Sequence, residues 1–261
     1  MPAIVKGSTM LNDAQIAQYH EDGYVVPDFR LDPSTVEAIA DLHARLLVQH
    51  PEFADYCPAL LAYELGFLNY ARDAQILEMV GQLIGDDFAL WNCSFFAKPA
   101  GIGKRVPWHQ DGEYWPIRPL ATCSVWLAID PSTRENGCLE VIPGSHKRAA
   151  LLDHEHNASK ELALPLELKE GEYDPASAVA IELEPGQISL HDVFLCHGSE
   201  PNRSAGPRRG MTMRFMPTSS VYDRSLPHHR QGESRLHMSN RTLYLMRGKD
   251  LSGRNDFAMH Y

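Results

Sequence analysis

The sequence predicts a mainly β fold, an antiparallel sandwich or barrel with helices packed outside it, and three observations carry that expectation. The first ninety residues show apolar positions at helical spacing, bounded by capping residues. After Gly85 the chain changes to runs rich in aromatic and β-branched residues, separated by Pro, Gly and Asn turns. No helical crossover pattern links those runs, which disfavours a parallel α/β sheet.

Asn12 or Asp13 is placed to cap a helix through Ile16 and Tyr19 that Gly23 ends, and Tyr24-Val25-Val26 then reads as a short strand. Asp32-Pro33 is a cap followed by a first-turn proline, and Val36, Ile39, His43, Leu46 and Leu47 recur along one helical face. A third helix is expected from about Asp73 through Ile76, Val80, Leu83 and Ile84, stopping at Gly85. Strands are expected within 88–98, 122–130, 138–146, 178–192 and 210–217. Segment 147–176 is charged and turn-rich and reads as an irregular insertion. One domain is expected, with 1–87 as helical support, 88–220 as the β core and 221–261 as a C-terminal extension.

Composition narrows the function. The 261 residues are 44% hydrophobic and carry a formal net charge of −10. Nucleic acid and anionic membranes reward clustered Lys and Arg, so neither is an expected partner; a small molecule is. Five scattered cysteines without a C-x-x-C pair fit reduced thiols, and no run approaches the length of a membrane span, so a cytoplasmic location is expected. The N-terminus lacks the basic start and apolar run of a secretory signal.

Two histidines and one carboxylate on one face of a metal, with the remaining positions open, are the ligand set of non-haem iron oxygenases. On an extended chain, residues two apart project to the same side, so His-x-Asp suits the end of a strand. Three His-x-acid pairs occur, at His20/Asp22, His50/Glu52 and His109/Asp111. The first lies on a helix, where i and i+2 diverge, and the second straddles a proline. Only His109-Gln110-Asp111 sits in the strand-rich region. A third ligand must come from a distant strand; His197, before a Gly-Ser turn, and His191 are the two candidates.

The blocks WHQDGEYWPIRP (108–119), VWLAIDPSTRENGCLEVIPGSHK (125–147) and HGSEPNRSAGPRRG (197–210), with IAQYHEDGYVVPDF (16–29), occur in that order along the chain. On these blocks the chain resembles the phytanoyl-CoA dioxygenase family of iron(II)/2-oxoglutarate oxygenases. The resemblance implies a double-stranded β-helix, the jelly-roll or cupin-like core, with flanking N-terminal helices. It implies Fe(II), 2-oxoglutarate and O2, with 2-oxoglutarate decarboxylated to succinate and CO2 as a substrate is hydroxylated. His109 and Asp111 match the family's His-x-Asp and His197 its distal histidine. Arg208 falls on the position that anchors the far carboxylate of 2-oxoglutarate, and Gln110, Trp126 and Ser199 on other co-substrate positions. A one-residue shift of register would turn Arg209 inward in place of Arg208. The expected substrate is a small polar metabolite; the alternatives are an acyl-CoA or secondary metabolite, or a metal-binding jelly roll without turnover. A halogenase would need the carboxylate ligand replaced, and Asp111 is present.

Further residues are candidates for the substrate pocket. Asn92, Ser94 and Lys98 share one parity of strand 88–98, interrupted by Phe96, while Trp91, Cys93, Phe95 and Ala97 take the other. That parity faces either solvent or the mouth of the barrel. Tyr114 and Trp115, directly after the ligand pair, either wall a pocket or pack. His228, His229 and Arg230 form a small basic cluster.

Overall fold

Asn12 opens the molecule with a reciprocal cap: its side chain accepts from the Gln15 backbone while the Gln15 side chain accepts from its own. A computed structural model describes residues 11–225 and 240–260. Helix α1 (Asp13–Asp22) ends at Gly23, whose φ of 84° is open to glycine without strain. α2 (Pro33–Gln49) starts behind Asp32, and α3 (Leu60–Tyr63), α4 (Leu68–Ala71) and α5 (Ala74–Ile84) follow, the last capped by Asp73. The three long helices stand where the sequence places them. α3, α4 and the short strand β2 (Tyr56–Cys57) carry no strong periodicity and were not expected.

Two antiparallel sheets form the core. The larger runs in the order β1 (Tyr24–Val25), β11 (Ile188–Asp192), β6 (Cys123–Ala128), β13 (Arg208–Pro217), β3 (Phe88–Lys98) and β15 (Tyr244–Arg247), with β2 also paired to β3. The smaller runs β10 (Val179–Ile181), β7 (Leu139–Val141), β12 (His197–Ser199) and β4 (Val106–His109). The fold is a jelly roll with its helices on one side. Alternation explains the layering: Val125, Leu127, Met211, Met213 and Phe215 face the helices, while Trp126 and Ala128 turn inward against Val141 and Ile181 of the smaller sheet. Two short ladders complete the frame, β5 (Ile117–Arg118) with β14 (Val221–Tyr222), and β8 (His154–His156) with β9 (Leu166–Leu168).

Three expectations need correction. Residues 147–176 are not wholly irregular, since β8 and β9 form a ladder there; strands of three residues with charged centres leave little alternation to read. Expected strand 178–192 is two strands, broken at Glu184-Pro185-Gly186. In β3 the parity fails at Trp91: Asn92 pairs with Arg214 and Leu90 with Phe215, so Trp91 is an extra residue and a bulge. Trp91 therefore lies with Tyr114 and Trp115, not with Cys93 and Phe95, which pack under the helices. No helix among the described residues is long and apolar enough to cross a membrane, and all five cysteines are buried free thiols.

One core histidine gives a stability test. His43 on α2 stacks on Phe95 with ring centres 3.7 Å apart, and neither ring nitrogen has a partner. Burial, helped by the charge of Arg209, pushes its pKa down to about 4. The unfolded ring titrates near about 6.5, so between those values the unfolded chain takes a proton the folded chain refuses. Stability at this site is therefore lost as pH falls from about 6.5 towards 4. His43→Phe keeps the stack and removes two unpaired nitrogens. Thermal scans should show its melting temperature raised more at pH 5 than at pH 8; a gain no larger at pH 5 would contradict the assignment.

Candidate metal centre

β4 and β12 bring two histidines face to face. His109 and His197 are direct partners across the ladder, with ring centres 4.2 Å apart. After His109 the chain enters a turn at Asp111–Tyr114, and Asp111 returns its carboxylate to the same side. His109 Nε2 lies 3.6 Å and His197 Nε2 4.0 Å from Asp111 Oδ1. Ligand atoms of the three residues all fall within 4.8 Å of one another, and all three side chains are buried. The three side chains thus lie buried between the sheets.

The backbone fixes which nitrogen each histidine presents to Asp111. His109 Nδ1 lies 2.8 Å from the Pro107 carbonyl and His197 Nδ1 2.9 Å from the Leu195 carbonyl. A carbonyl only accepts, so each Nδ1 carries the proton and each Nε2 lone pair is directed at Asp111. Burial, then the neighbouring His109, pushes the His197 pKa down to about 3, keeping it in the neutral form that can bind a metal. His191, the rival, has no partner for its Nδ1, and its Nε2 lies 3.7 Å from the other carboxylate oxygen, Oδ2. Arg214 Nε stands 3.9 Å from that same Oδ2. Burial alone would raise the Asp111 pKa, but the Arg214 guanidinium, with His191, holds it well below the usual range. One oxygen faces the two histidines and the other faces a supporting pair.

These side chains line a cavity of about 50 Å³ together with Trp126, Ser199 and Arg208. Arg208 is 3% exposed, its guanidinium lies 5.4 Å from the Trp126 ring centre, and its Nε has no partner. The indole can lie there because the next inward position of β13 is Gly210, where a Cβ would collide with it. Arg209 faces the other way and grips Asp130 through Nε and Nη2, both at 2.8 Å. The register therefore turns Arg208 inward.

Other expected site residues are distributed unevenly. Gln110 does not line the cavity, and its placement there is corrected. Its side chain is fully buried, donates to the Phe194 and Ala150 carbonyls and accepts from Leu152 N–H. The alternation that puts His109 and Asp111 on one side puts the residue between them on the other. Ser94 is likewise internal, accepting from Asn92 and from Arg214 Nη1. Asn92, Tyr114 and Trp115 line a small space adjoining Asp111. His228, His229 and Arg230 lie outside the described residues. His191 and Arg214 were not singled out for support of Asp111; Arg214 shares the parity of Arg208 on β13, the one signal that could have found it.

The profile of the family described as phytanoyl-CoA dioxygenase (PhyH) matches residues 19–210. A probable phytanoyl-CoA dioxygenase of Caenorhabditis elegans is 32% identical over 155 residues, covering 56% of this chain and 49% of that protein. A methylphosphonate hydroxylase of Gimesia maris is 28% identical over 228 residues, covering 80% of this chain and 82% of that protein. The chain spans about half the length of the phytanoyl-CoA dioxygenases it matches. Among solved structures, EvdO2 from Micromonospora carbonacea var. aurantiaca, complexed with 2-oxoglutarate, superposes with a TM-score of 0.69 at 24% identity, covering 79% of this chain and 91% of that one. At that identity the likeness is one of fold.

Proposed function

This chain belongs to the phytanoyl-CoA dioxygenase family, and from that premise we propose that it is an iron(II)- and 2-oxoglutarate-dependent dioxygenase that hydroxylates a small polar metabolite. The observation that carries the reading is the convergence of His109, Asp111 and His197 in a cavity that also contains the unpaired guanidinium of Arg208. The donor set fits the metal: two neutral imidazoles and one carboxylate suit iron(II) and leave positions open. The match to a methylphosphonate hydroxylase over most of the chain favours a small polar substrate.

His109, Asp111 and His197 would hold the iron, and Arg208 would hold the far carboxylate of 2-oxoglutarate through the paired N–H groups of its planar fork. When bound, the pair supplies oxidation by O2: 2-oxoglutarate gives succinate and CO2, with one oxygen atom entering succinate and the other the substrate. The protein's part is positional. Pro107 and Leu195 carbonyls hold both imidazoles in the ligating tautomer. Trp126 supports the Arg208 guanidinium from one side, and Ser199 adds a hydroxyl to the same wall. Burial of these groups keeps bulk water from the reacting atoms.

The reading is tested by supplying iron(II), 2-oxoglutarate and O2 with a panel of amino acids, quaternary amines, phosphonates and carboxylic acids. Succinate is expected to rise above the substrate-free rate with at least one class, matched by a product heavier by one oxygen. Iron and 2-oxoglutarate binding without succinate from any class would identify a binding protein instead.

A further inference from the structure

The space around Asp111 continues past it. The small space lined by Tyr56, Asn92, Tyr114 and Trp115 shares Phe96, Asp111, Leu164 and Arg214 with the metal cavity. Asn92 also lines a second chamber of about 340 Å³, with Leu61, Trp91 and Arg241 in its wall. The three spaces are neighbours, with Arg208 in the wall of the first, Arg241 in the wall of the last, and Asn92 between the second and the last.

Arg241 is the anomaly in those walls. It is 8% exposed, its Nε has no partner, and its Nη1 donates only to neutral groups, the Pro58 carbonyl at 2.8 Å and Asn92 Oδ1 at 2.9 Å. Among the described residues no carboxylate forms an ion pair with it. Asn92 passes the contact on, donating to Ser94 Oγ at 3.1 Å, which accepts from Arg214 Nη1 at 2.6 Å. Arg214 is held between Trp115 and Phe96, its guanidinium 5.2 and 5.8 Å from their ring centres. Arg214 is answered by Asp111, whose Oδ2 lies 3.9 Å from its Nε, whereas Arg241 is fixed by neutral hydrogen-bond partners alone. An uncompensated buried cation is costly, and its persistence calls for an anion that arrives with a ligand.

The charge of the three linings together points the same way. Iron(II) and the 2-oxoglutarate dianion cancel each other. The described lining then holds three guanidiniums, Arg208, Arg214 and Arg241, against the single carboxylate of Asp111. With Arg208 engaged by 2-oxoglutarate, the surplus positive charge lies on the far side of Asp111.

We propose that the substrate is an oxyanion, a small molecule bearing a carboxylate, phosphonate or phosphate, whose charged head is bound by Arg241 with support from Arg214 in the chamber beyond Asp111. This rests on the oxygenase reading and adds the substrate's charge and direction of entry. The head group binds on the Asn92 side, its apolar part lies against Trp91 and Leu61, and the carbon to be oxidised points back towards Asp111.

Calorimetric titration of the full chain tests this, with a redox-inactive divalent metal and 2-oxoglutarate already bound. Phenylacetate and phenylphosphonate are the anionic probes, and phenylacetamide is the neutral one. At least one anion should bind, and at least about tenfold more tightly than the amide; whichever anion binds better identifies the head group. Arg241→Met should weaken that anion by about 30-fold or more, Arg241→Lys by less, and neither should change the 2-oxoglutarate titration. The unliganded Arg241→Met protein should melt no lower than the parent, because a costly charge has been removed. Binding of neither anion, equal binding of the amide, or undiminished anion binding to Arg241→Met would overturn the proposal. So would displacement of 2-oxoglutarate by the anion. Absence of a 2-oxoglutarate titration before any probe is added would count against the oxygenase reading, and the Arg241 comparison would still be read on its own. The comparison of anion with amide needs no variant, so a misfolded Arg241→Met leaves the test intact.

Discussion

His197→Ala is expected to abolish iron-dependent turnover, whereas His191→Ala should lower it by about 10- to 100-fold, the loss associated with partners that orient a metal ligand. The two histidines lie side by side, with ring centres 5.1 Å apart, and differ in what holds them. His197 has its Nδ1 proton committed to Leu195 and its Nε2 directed at the Oδ1 side of Asp111. His191 reaches Oδ2 and has no acceptor to fix its tautomer. Loss of His197 would remove one of the three proposed metal bonds, while loss of His191 leaves the Asp111 carboxylate with Arg214 still in place. Metal content after gel filtration and succinate formation read the two variants together. Full activity in His197→Ala with none in His191→Ala would reverse the assignment.

Arg208→Ala should raise the 2-oxoglutarate requirement by about 30- to 5000-fold, the range that follows from about 2–5 kcal/mol for truncating one partner of a buried charge pair. Iron binding should be nearly unchanged, because the metal ligands are untouched. Arg208→Lys should recover only part of the loss, since an ammonium cannot reproduce a two-point fork. Arg209→Ala is the control, and the structure gives it a different phenotype. Its fork is closed on Asp130, so the variant should lose some stability and keep its 2-oxoglutarate affinity. A raised requirement in Arg209→Ala alone would mean that the register of β13 is shifted by one residue.

Much of this was legible in the chain because local chemistry encodes it. Asn12, Asp32-Pro33 and Asp73 mark helix starts, Gly23 and Gly85 mark ends, and the structure keeps all five. The long strands 88–98 and 210–217 declare themselves by composition, and their ladder is the spine of the larger sheet. The bulge at Trp91 was not legible, because a period of two carries no mark of where it slips. The family resemblance sets Gln110 on a co-substrate position, while simple alternation turns its side chain away from the metal cavity, and its hydrogen bonds lie on that far side. His191 and Arg214 become supports of Asp111 only when β11, β13 and the turn after β4 meet, a relation between segments far apart in sequence. Arg241 gave no signal, since an isolated arginine in a polar segment reads as surface until its burial is seen.

The central claim is that one cavity binds iron through His109, Asp111 and His197 and, beside it, 2-oxoglutarate through Arg208. Anaerobic titration followed by visible absorption tests it most directly, because a 2-oxo acid chelated to iron(II) produces a charge-transfer band that neither component gives alone. The account predicts a band that saturates at one iron and one 2-oxoglutarate per chain, is lost in His197→Ala, and needs far more 2-oxoglutarate in Arg208→Ala. Iron that binds at one equivalent and gives no band at any 2-oxoglutarate concentration would contradict it.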